Sequence, residues 1–543
     1  MNELRRIVLP IILTVVLSAF FFNIENIKGT TDVKDANLVI YGDNIKTSYE
    51  PFTQNGGIYL SVDTISKAID ENIFYDSVAT KVIVTTDTEV IKLKIDENKL
   101  SRNFEYEDIH TPARLVKGQP YVDVNLLKNE YNLKTEYNSD TNTIVIDKLS
   151  TSDIPVKYNM VNVYNDITTK SKVLDILNSK DKVTVYTDSL DHNSWYKVKT
   201  DKGIVGYISK NNVDLETKID EDISSDIASS KDKVVMFWQY GSNLVTLGQS
   251  KIDGINTVSP TWYELKNSSG EISSKYSNSY YNKVKEYGYK IWPVITNSFD
   301  STNYSTDTTS ALLNSEYNRE KFIKNIRDTL KKDKVDGINI DFESMKDEDR
   351  DLYTQFIREL APILRNERIT VSVDYYFVRY IDRKRIGEAV DYVILMGYDQ
   401  KGTWSNEAGS ISAINVVEEQ INSLINDSKI SSEKIILGVP FYTRLWTEKN
   451  ASEKPTSVVY SMQDCLDFVN QNKITTVWDE DAGQNYAELK KGDLTYKLWL
   501  EDSDSMRKRV EVVNKFRLAG LSAWQKGLEI NSVWDTINST LEK

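Results

Sequence analysis

The feature that most constrains the fold is a regular alternation that begins at Lys233 and continues to the C-terminus. Short runs of buried-type residues are separated by amphipathic stretches with helical periodicity, such as Arg319–Lys331 and Asp349–Asn366. Strands with helices between them, over about 310 residues, favour a (β/α)8 TIM barrel at residues 232–543. The eight predicted strands are Val234–Tyr240, Thr257–Trp262, Lys290–Ile295, Gly337–Phe342, Thr370–Tyr375, Tyr392–Tyr398, Lys434–Pro440 and Leu521–Gln525.

An open, doubly wound sheet would show the same alternation. That fold binds its ligand at a glycine-rich loop after a strand, and no such loop follows any of the eight runs. Between the seventh and eighth strands lies the stretch Leu445–Arg517, which is long for a barrel loop. Within it, Val477–Trp478, Tyr486–Leu489 and Leu494–Leu500 predict a small α+β insertion.

Residues 36–150 contain an internal repeat. Tyr59–Ile65 recurs as Tyr121–Leu127, and Tyr75–Val84 recurs as Tyr137–Ile146, at the same offset of 62 residues (121 − 59 = 62). Each unit predicts a short strand, a small helix and a hairpin, so that two units pack together as one α+β module. The pattern resembles the copper amine oxidase N-terminal-like module of exported bacterial proteins, although no metal-ligand cluster accompanies it.

A second small module and a linker precede the barrel. Residues 155–215 alternate short β-type runs with polar turns and predict a small all-β barrel. The order of its runs, which include Trp195–Val198 and Gly206–Ile208, resembles bacterial Src-homology-3-like domains. Residues 216–231 are mostly Asp, Glu, Ser and Lys, and they predict a solvated linker.

The N-terminus predicts export. Arg5 and Arg6 precede an apolar run from Ile7 to Phe22, the charged start and apolar core of an export signal. No clear cleavage site follows, so residues 1–30 are predicted to be an uncleaved signal anchor, with a cleaved signal peptide as the alternative. Positive charge before the run predicts that the rest of the chain is extracytoplasmic, in the cell envelope.

Charge and composition exclude several classes of function. The formal net charge is −14, whereas nucleic-acid binding needs clustered Lys and Arg, so no nucleic-acid partner is expected. The single cysteine, Cys465, lies far from His110 and His192 in the sequence, which favours a structural thiol over a nucleophile. Two histidines and one cysteine also make a structural zinc site improbable.

The stretch Val335-Asp-Gly-Ile-Asn-Ile-Asp-Phe-Glu343 carries the predicted chemistry. Side chains alternate along a strand, so Asn339, Asp341 and Glu343 share one face. In a barrel this polar face points inward and climbs toward the C-terminal rim, where such barrels place active sites. Two acids this close push their pKa values apart, so that one stays protonated near neutral pH. A surface acidic turn is the alternative, and buried-type residues on both sides argue against it.

This stretch resembles the signature of glycoside hydrolase family 18, the chitinase-like family. Met396-Gly-Tyr-Asp399, Gly438–Arg444 and Trp524 match further motifs of that family in the right order, and the resemblance covers roughly residues 232–540. Asn339 stands where many chitinases have Asp. The pattern with Asn resembles that of the peptidoglycan-directed and spore-cortex-directed branch.

The resemblance implies a substrate-assisted retaining mechanism without metal or cofactor. Glu343 would protonate the glycosidic oxygen and later activate water, Asp341 would orient the substrate's 2-acetamido group, and Tyr398 would hydrogen-bond its oxygen. These three are the predicted catalytic residues. The predicted substrate-binding residues are Asn339, Asp399, Met396, Trp524, Tyr240, Trp262 and Asn297.

The implied activity is cleavage of β-1,4 bonds after N-acetylglucosamine in peptidoglycan. Chitin or chitooligosaccharide is the alternative substrate. A non-catalytic glycan-binding protein could use the same barrel, but lectin-like members of the family typically lose the glutamate, and Glu343 is present. An envelope tether with a vestigial enzyme is a further alternative, against which the intact motifs argue.

Overall fold

The computed structural model describes residues 35–151, 153–186, 194–213, 232–300, 303–304, 306–343, 345–449 and 453–542. The predicted signal anchor at 1–30, the linker at 216–231 and His192 lie outside these ranges. Within them, no helix combines the length and the apolar character that crossing a bilayer requires. The described residues divide into two units: those within 35–75, 93–100 and 108–213 form the first, and those within 76–92, 101–107 and 232–542 form the second.

The sequence repeat is also a structural repeat. Strand Gly57–Ser61 leads into the helix Val62–Ala68, and strand Gln119–Asp123 leads into the 3-10 turn Val124–Leu127. The last residue of each strand caps the helical segment, because its side-chain oxygen accepts a backbone N–H of the first turn. The other strands are Asn37–Ile40, Asp43–Asn44, Phe52–Gln54, Phe74–Asp76, Lys81–Thr85, Val90–Lys94, Lys99–Arg102, Glu105–Asp108, Ala113–Val116, Leu133–Asn138 and Thr143–Lys148.

The predicted small all-β module is one antiparallel sheet of six strands. Alternate residues of its strands, such as Val161 and Val163, point into an apolar core that Val198 and Ile208 complete. A 3-10 turn, Lys210–Asn212, follows the last strand. The strands are Asp153–Pro155, Val161–Tyr164, Val173–Leu177, Lys182–Val185, Trp195–Thr200 and Val205–Ser209.

The predicted TIM barrel is present. Eight parallel strands pair in chain order, and the first strand pairs with both the second and the eighth, which closes the sheet. The boundaries differ from the predicted ones by a few residues, since strand ends depend on pairing as well as on pattern. The strands are β1 (Val234–Gln239), β2 (Thr257–Leu265), β3 (Val294–Thr296, preceded by the short strand Lys290–Ile291), β4 (Gly337–Asp341), β5 (Thr370–Tyr375), β6 (Tyr392–Met396), β7 (Ile435–Pro440) and β8 (Gly520–Trp524).

Helices separate the strands, and both predicted ones are present with longer or nearly equal bounds. Glu316–Asp333 begins after Ser315, whose hydroxyl accepts the Asn318 N–H, and ends where Lys334 adopts a left-handed conformation. The helices of this unit are α1 (Leu244–Leu247), α2 (Asn278–Glu286), α3 (Thr306–Leu313), α4 (Glu316–Asp333), α5 (Arg350–Asn366), α6 (Arg383–Ala389), α7 (Ile414–Asn426), α8 (Met462–Asn472), α9 (Ser503–Lys515) and α10 (Ser532–Thr540). Short 3-10 turns lie at Asp347–Asp349 and Ser432–Lys434, and short strands at Ile272–Ser274, Ser298–Asp300 and Asn303–Tyr304.

The insertion after β7 is α+β, as predicted. Its five-stranded antiparallel sheet packs with α8 around a small apolar core that contains Cys465. The thiol is fully buried, and burial raises its pKa, so it has the character of a structural cysteine. The strands are Tyr442–Glu448, Thr456–Ser461, Val477–Asp479, Gln484–Lys491 and Leu494–Trp499.

The second unit contains a buried ion network outside the barrel interior. Lys92 Nζ lies 2.6 Å from a carboxylate oxygen of Glu316 on α4 and 3.0 Å from one of Glu359 on α5, and all three side chains are buried. Arg319 on α4 pairs with Asp76 at 2.9 Å. Charges this deeply buried are tolerated only because each has a partner.

Lys92→Met is expected to lower the free energy of unfolding by about 3–5 kcal/mol, because Glu316 and Glu359 would then be buried without their cation. Urea unfolding of the full-length protein, followed by tryptophan fluorescence, measures this. Lys67→Met is the control, since Lys67 pairs with Asp63 on the surface, and it should change stability by less than about 1 kcal/mol. Equal effects of the two substitutions would contradict the prediction.

Candidate active site

Strand β4 places the predicted polar residues on the inner face of the barrel. Asn339 is fully buried and its Oδ1 accepts a hydrogen bond from Trp238 Nε1 of β1 at 2.7 Å, inside the barrel. Phe342 points the other way, where its ring stacks on Phe356 of α5. The alternation predicted from the sequence is therefore confirmed for this strand.

The neighbouring strand β5 supplies a matching set of polar side chains. The strands pair Asn339 with Ser372 and Ile340 with Val373, and the same register brings Asp374 level with Asp341. Two residues further along, the Tyr376 hydroxyl donates a hydrogen bond to Glu343 Oε1. The rim of the barrel thus carries paired polar groups on β4 and β5.

The backbone of Glu343 is held by an asparagine below it. Asn297 Nδ2 donates to the Glu343 carbonyl at 2.9 Å, and Asn297 Oδ1 accepts the Glu343 N–H at 3.1 Å. Asn297 also donates to Thr309 Oγ1 of α3. Both donors of its amide and its oxygen are therefore engaged, and it fixes the position from which the half-buried Glu343 side chain projects.

Asp341 lies beside Glu343 with one oxygen unpaired. The two carboxyl groups lie on the same face, two residues apart along the chain, and Glu343 is close enough to influence the ionisation of Asp341. Burial, and then the neighbouring Glu343 and Asp374 carboxyls, raise the pKa of Asp341 well above its ordinary value. Asp341 Oδ1 is buried and has no hydrogen-bond donor among the described residues. A ligand N–H is the kind of group that would satisfy it.

Tyr398 and Asp399 follow β6 at the same rim. Burial raises the pKa of the Tyr398 hydroxyl, and the nearby groups Tyr442, Asp374 and Asp341 raise it further, so this hydroxyl is a neutral donor. Asp399 is exposed, has a left-handed backbone (φ 55°), and accepts a hydrogen bond from Tyr442 at 2.5 Å. A left-handed Asp is uncommon, and here it is held by a side chain from the insertion.

A cavity of about 220 Å³ opens beside these groups. Asp341 lies in its wall, and Trp524 at the end of β8 forms part of the same surface. Tyr240, which is 62% exposed, lies at its rim. Indole and phenol faces next to a buried carboxyl are suited to a ligand with an apolar face and polar substituents, such as a sugar ring.

Two of the predicted groove-lining residues have side chains that are almost fully buried. Asn297 is fully buried beneath Glu343, so it positions the backbone and exposes no surface to a ligand. Trp262 is only 1% exposed; it packs edge-on against Tyr276 and Tyr280, and its Nε1 donates to Ser242. Trp262 nevertheless forms part of the cavity wall, as predicted, whereas Asn297 does not.

The remaining predicted residues lie in or near the site. Met396 is 7% exposed on β6, level with Gly438 of β7, so it contributes packing below the rim. Asp374, Tyr376 and Tyr442 were not predicted. The period-two spacing of Asp374 near the end of β5 and Tyr376 just beyond it, which parallels that of Asp341 and Glu343, was the available signal.

Comparison with known families agrees with this geometry. Residues 203–529 match the family model described as Glycosyl hydrolases family 18. The chain belongs to this family. Its barrel is thus that of a family 18 glycosidase. Residues 39–146 match the Copper amine oxidase N-terminal domain and residues 160–214 match the Bacterial SH3 domain, which confirms the two other resemblances.

Relatives of this family 18 chain have several names. It is 27% identical over 263 residues to the "Uncharacterized glycosylase YvbX" of Bacillus subtilis (strain 168), which covers 46% of this chain and 74% of the relative. It is 26% identical over 265 residues to a "Cortical fragment-lytic enzyme" of Bacillus anthracis, covering 46% of this chain and 60% of that protein. The chain therefore spans less than two thirds of the second relative.

Solved structures show the same fold. A chitinase from Chromobacterium violaceum ATCC 12472 superimposes with a TM-score of 0.52 at 18% identity, covering 57% of this chain and 99% of that one. At this identity the likeness concerns the barrel architecture and not the substrate.

Asn297→Ala is expected to lower glycosidase activity by roughly 10–100-fold, because it would displace Glu343, the predicted acid, and misplacing a reacting group typically costs about that much. Loss of the amide also leaves the Glu343 N–H and C=O without their partner, at about 1–3 kcal/mol of stability. Initial rates and thermal unfolding of the full-length variant measure the two effects. Asn325→Ala is the control. It removes the hydrogen bond from Asn325 of α4 to the Gly270 carbonyl and should retain activity. Full activity of Asn297→Ala would contradict the positioning role.

Proposed function

We propose that this protein is an exported endo-type glycosidase that cleaves β-1,4 bonds after N-acetylglucosamine in peptidoglycan, with retention and with help from the substrate's acetamido group. The observation that supports it most directly is Asp341, whose pKa is raised by burial and by the neighbouring Glu343, while its Oδ1 has no donor among the described residues. An acetamido N–H is a donor that this oxygen can accept.

The first step begins from a protonated Asp341, the form that its raised pKa favours. When the acetamido N–H donates to Asp341, the hydrogen bond favours the ionised form of Asp341. The Asp341 proton then moves to Glu343, which donates it to the leaving glycosidic oxygen. The acetamido carbonyl oxygen attacks the anomeric carbon as that bond breaks, and the Asp341 carboxylate balances the positive charge of the oxazolinium ion.

The second step reverses the proton transfer. Glu343, now ionised, accepts a proton from water as the water attacks the anomeric carbon, and the oxazolinium ring opens with overall retention. The Tyr398 hydroxyl is the proposed donor to the acetamido oxygen. Trp524 offers an aromatic face to the sugar ring.

The choice of peptidoglycan over chitin rests on Asn339 and on the relatives. Asn339 is neutral, as in the peptidoglycan-directed branch of the family, and one relative is named as a cortical fragment-lytic enzyme. The apolar run near the N-terminus supports an extracytoplasmic, membrane-anchored location at the cell envelope. An intact N-terminus in the membrane fraction would support the anchor; a mature N-terminus beyond residue 22 would contradict it.

The test of the activity is digestion of purified peptidoglycan by the full-length protein, followed by borohydride reduction and mass analysis of the new ends. New reducing ends at N-acetylglucosamine are expected. New ends at N-acetylmuramic acid would overturn the assigned bond. Cleavage of chitooligosaccharide alone would make chitin the substrate, and cleavage of neither would favour a glycan-binding protein.

A further inference from the structure

One buried acid at the site has no part in the reaction described above. Asp374 lies on β5, is 4% exposed, and stands level with Asp341 on β4. Its Oδ1 accepts a hydrogen bond from Asn339 Nδ2 at 2.8 Å. A buried carboxyl is costly to retain, and a hydrogen bond from one amide does not by itself require an acid.

The orientation of Asn339 is set from the other side. Trp238 Nε1 can only donate, so the Asn339 atom that faces it must be the oxygen. Asn339 Nδ2 therefore faces Asp374, which must present an acceptor. An aspartate or an asparagine side chain can do this equally well, so the acidity of Asp374 needs a separate explanation.

The titratable groups around Asp341 and Asp374 are acids and phenols. Glu343 and Tyr376 approach from the rim, Tyr398 from the end of β6, and Tyr353 from α5. Burial raises the pKa of Asp374, the hydrogen bond from Asn339 lowers it in part, and Glu343 raises it. The net effect is a pKa of Asp374 well above its ordinary value, and once Asp374 is ionised its charge disfavours ionisation of Asp341.

We propose that Asp374 is a positioning residue whose carboxyl keeps a proton on the Asp341–Glu343 pair, a role that rests on the proposed function of that pair. In this role Asp374 forms and breaks no covalent bond with the substrate. Asn339 on β4 has an uncharged amide, so the negative charge beside Asp341 comes from Asp374 on the neighbouring strand β5. Glu343 then remains a working acid at a pH where an isolated pair would have lost its proton.

Asp374→Asn tests this directly, because the side-chain oxygen of the new amide still accepts from Asn339 and the shape is unchanged. The basic limb of the pH profile of kcat/KM is expected to shift to lower pH by about one unit or more. An unchanged profile would overturn the proposal. Asp391→Asn is the matched control: Asp391 accepts the Val371 N–H at the opposite end of the barrel, and its profile should stay that of the wild type.

The exchange N339D/D374N provides the rescue. The acid moves to β4, Trp238 still donates to residue 339, and the hydrogen bond between residues 339 and 374 reverses its direction. The basic limb is expected to return toward its wild-type position. A double variant that keeps the profile of Asp374→Asn would show that the location of the acid, rather than its charge, matters, and would overturn the proposal.

Unfolding in urea separates this inference from the proposed function. Because Asp374 has a raised pKa in the folded state, its ionisation destabilises the fold as pH rises above about 4. The stability gained by Asp374→Asn should therefore increase between about pH 4 and pH 8, whether or not the wild type cleaves a glycan. A pH-independent difference would mean that Asp374 serves only as a hydrogen-bond acceptor, which would overturn the inference. Absence of cleavage by the wild type would overturn the proposed function alone.

Discussion

The substitution Glu343→Gln is expected to lower kcat for glycan cleavage by roughly 10²–10⁴-fold, the usual contribution of general acid–base catalysis. Glutamine has the size of glutamate and can still accept the hydrogen bond from Tyr376, but it cannot give a proton to the leaving oxygen. Asn297 contacts only the backbone of residue 343, so this support is unaffected. The loss should therefore appear in kcat with little change in thermal stability.

The measurement is the initial rate of release of new reducing ends by the full-length variant, with circular dichroism melting as the check on folding. Glu286→Gln is the control, because Glu286 lies on the surface of α2, where it pairs with Lys283. That variant should match the wild type in both assays. A Glu343→Gln protein that retains more than about one tenth of the wild-type rate would contradict the assignment of Glu343 as the acid.

Asp341→Asn is expected to have the second-largest effect, a loss of roughly 10²–10³-fold in kcat, comparable to removing one electrostatic stabiliser of a transition state. An asparagine cannot balance the charge of the oxazolinium ion, and it cannot return a proton to Glu343. The rate loss should exceed any change in KM, because the charge it would stabilise develops only during the reaction.

The same substitution should stabilise the protein at neutral pH. The pKa of Asp341 is raised in the folded state, so the folded protein holds this proton more tightly than the unfolded chain does. The protonated Asp341 carboxyl therefore contributes fully to the free energy of unfolding below the unfolded-state pKa of about 4. This contribution declines as the pH rises toward the pKa of Asp341 in the folded protein. Asparagine does not titrate. In urea unfolding, the free energy of unfolding of the variant should therefore increase relative to that of the wild type between about pH 4 and pH 8.

A variant that is inactive and more stable at neutral pH would fit a site that sacrifices stability for function. Lower stability at every pH would instead assign Asp341 a structural role. Asp336→Asn is a useful control for stability, because Asp336 at the start of β4 is partly exposed and its carboxylate is paired with Lys285. Because Asp336 is paired with a cation, Asp336→Asn should not produce a stability increase over the wild type that grows with pH.

Local pattern was sufficient to predict the barrel strands and the face of β4 that carries the acids. In a strand, the side chain of each residue alternates with that of the next, so the inward position of Asn339, Asp341 and Glu343 follows from their spacing alone. Helices such as α4 were likewise predictable, because their apolar residues recur with helical periodicity and Ser315 marks the start. The order of the motifs was sufficient for the family.

Pairing between distant segments was not predictable in this way. Asp374 and Asn339 are 35 positions apart, and Asn297 and Glu343 are 46 apart, so no local spacing links them. Trp262 forms part of the cavity wall, but its position in a predicted strand did not show that packing against Tyr276 and Tyr280 leaves it almost fully buried. Lateral register and side-chain packing depend on the closed barrel as a whole. The sequence by itself thus determined the barrel, its family and the acids of β4, whereas the tertiary structure alone decided which side chains surround and orient those acids.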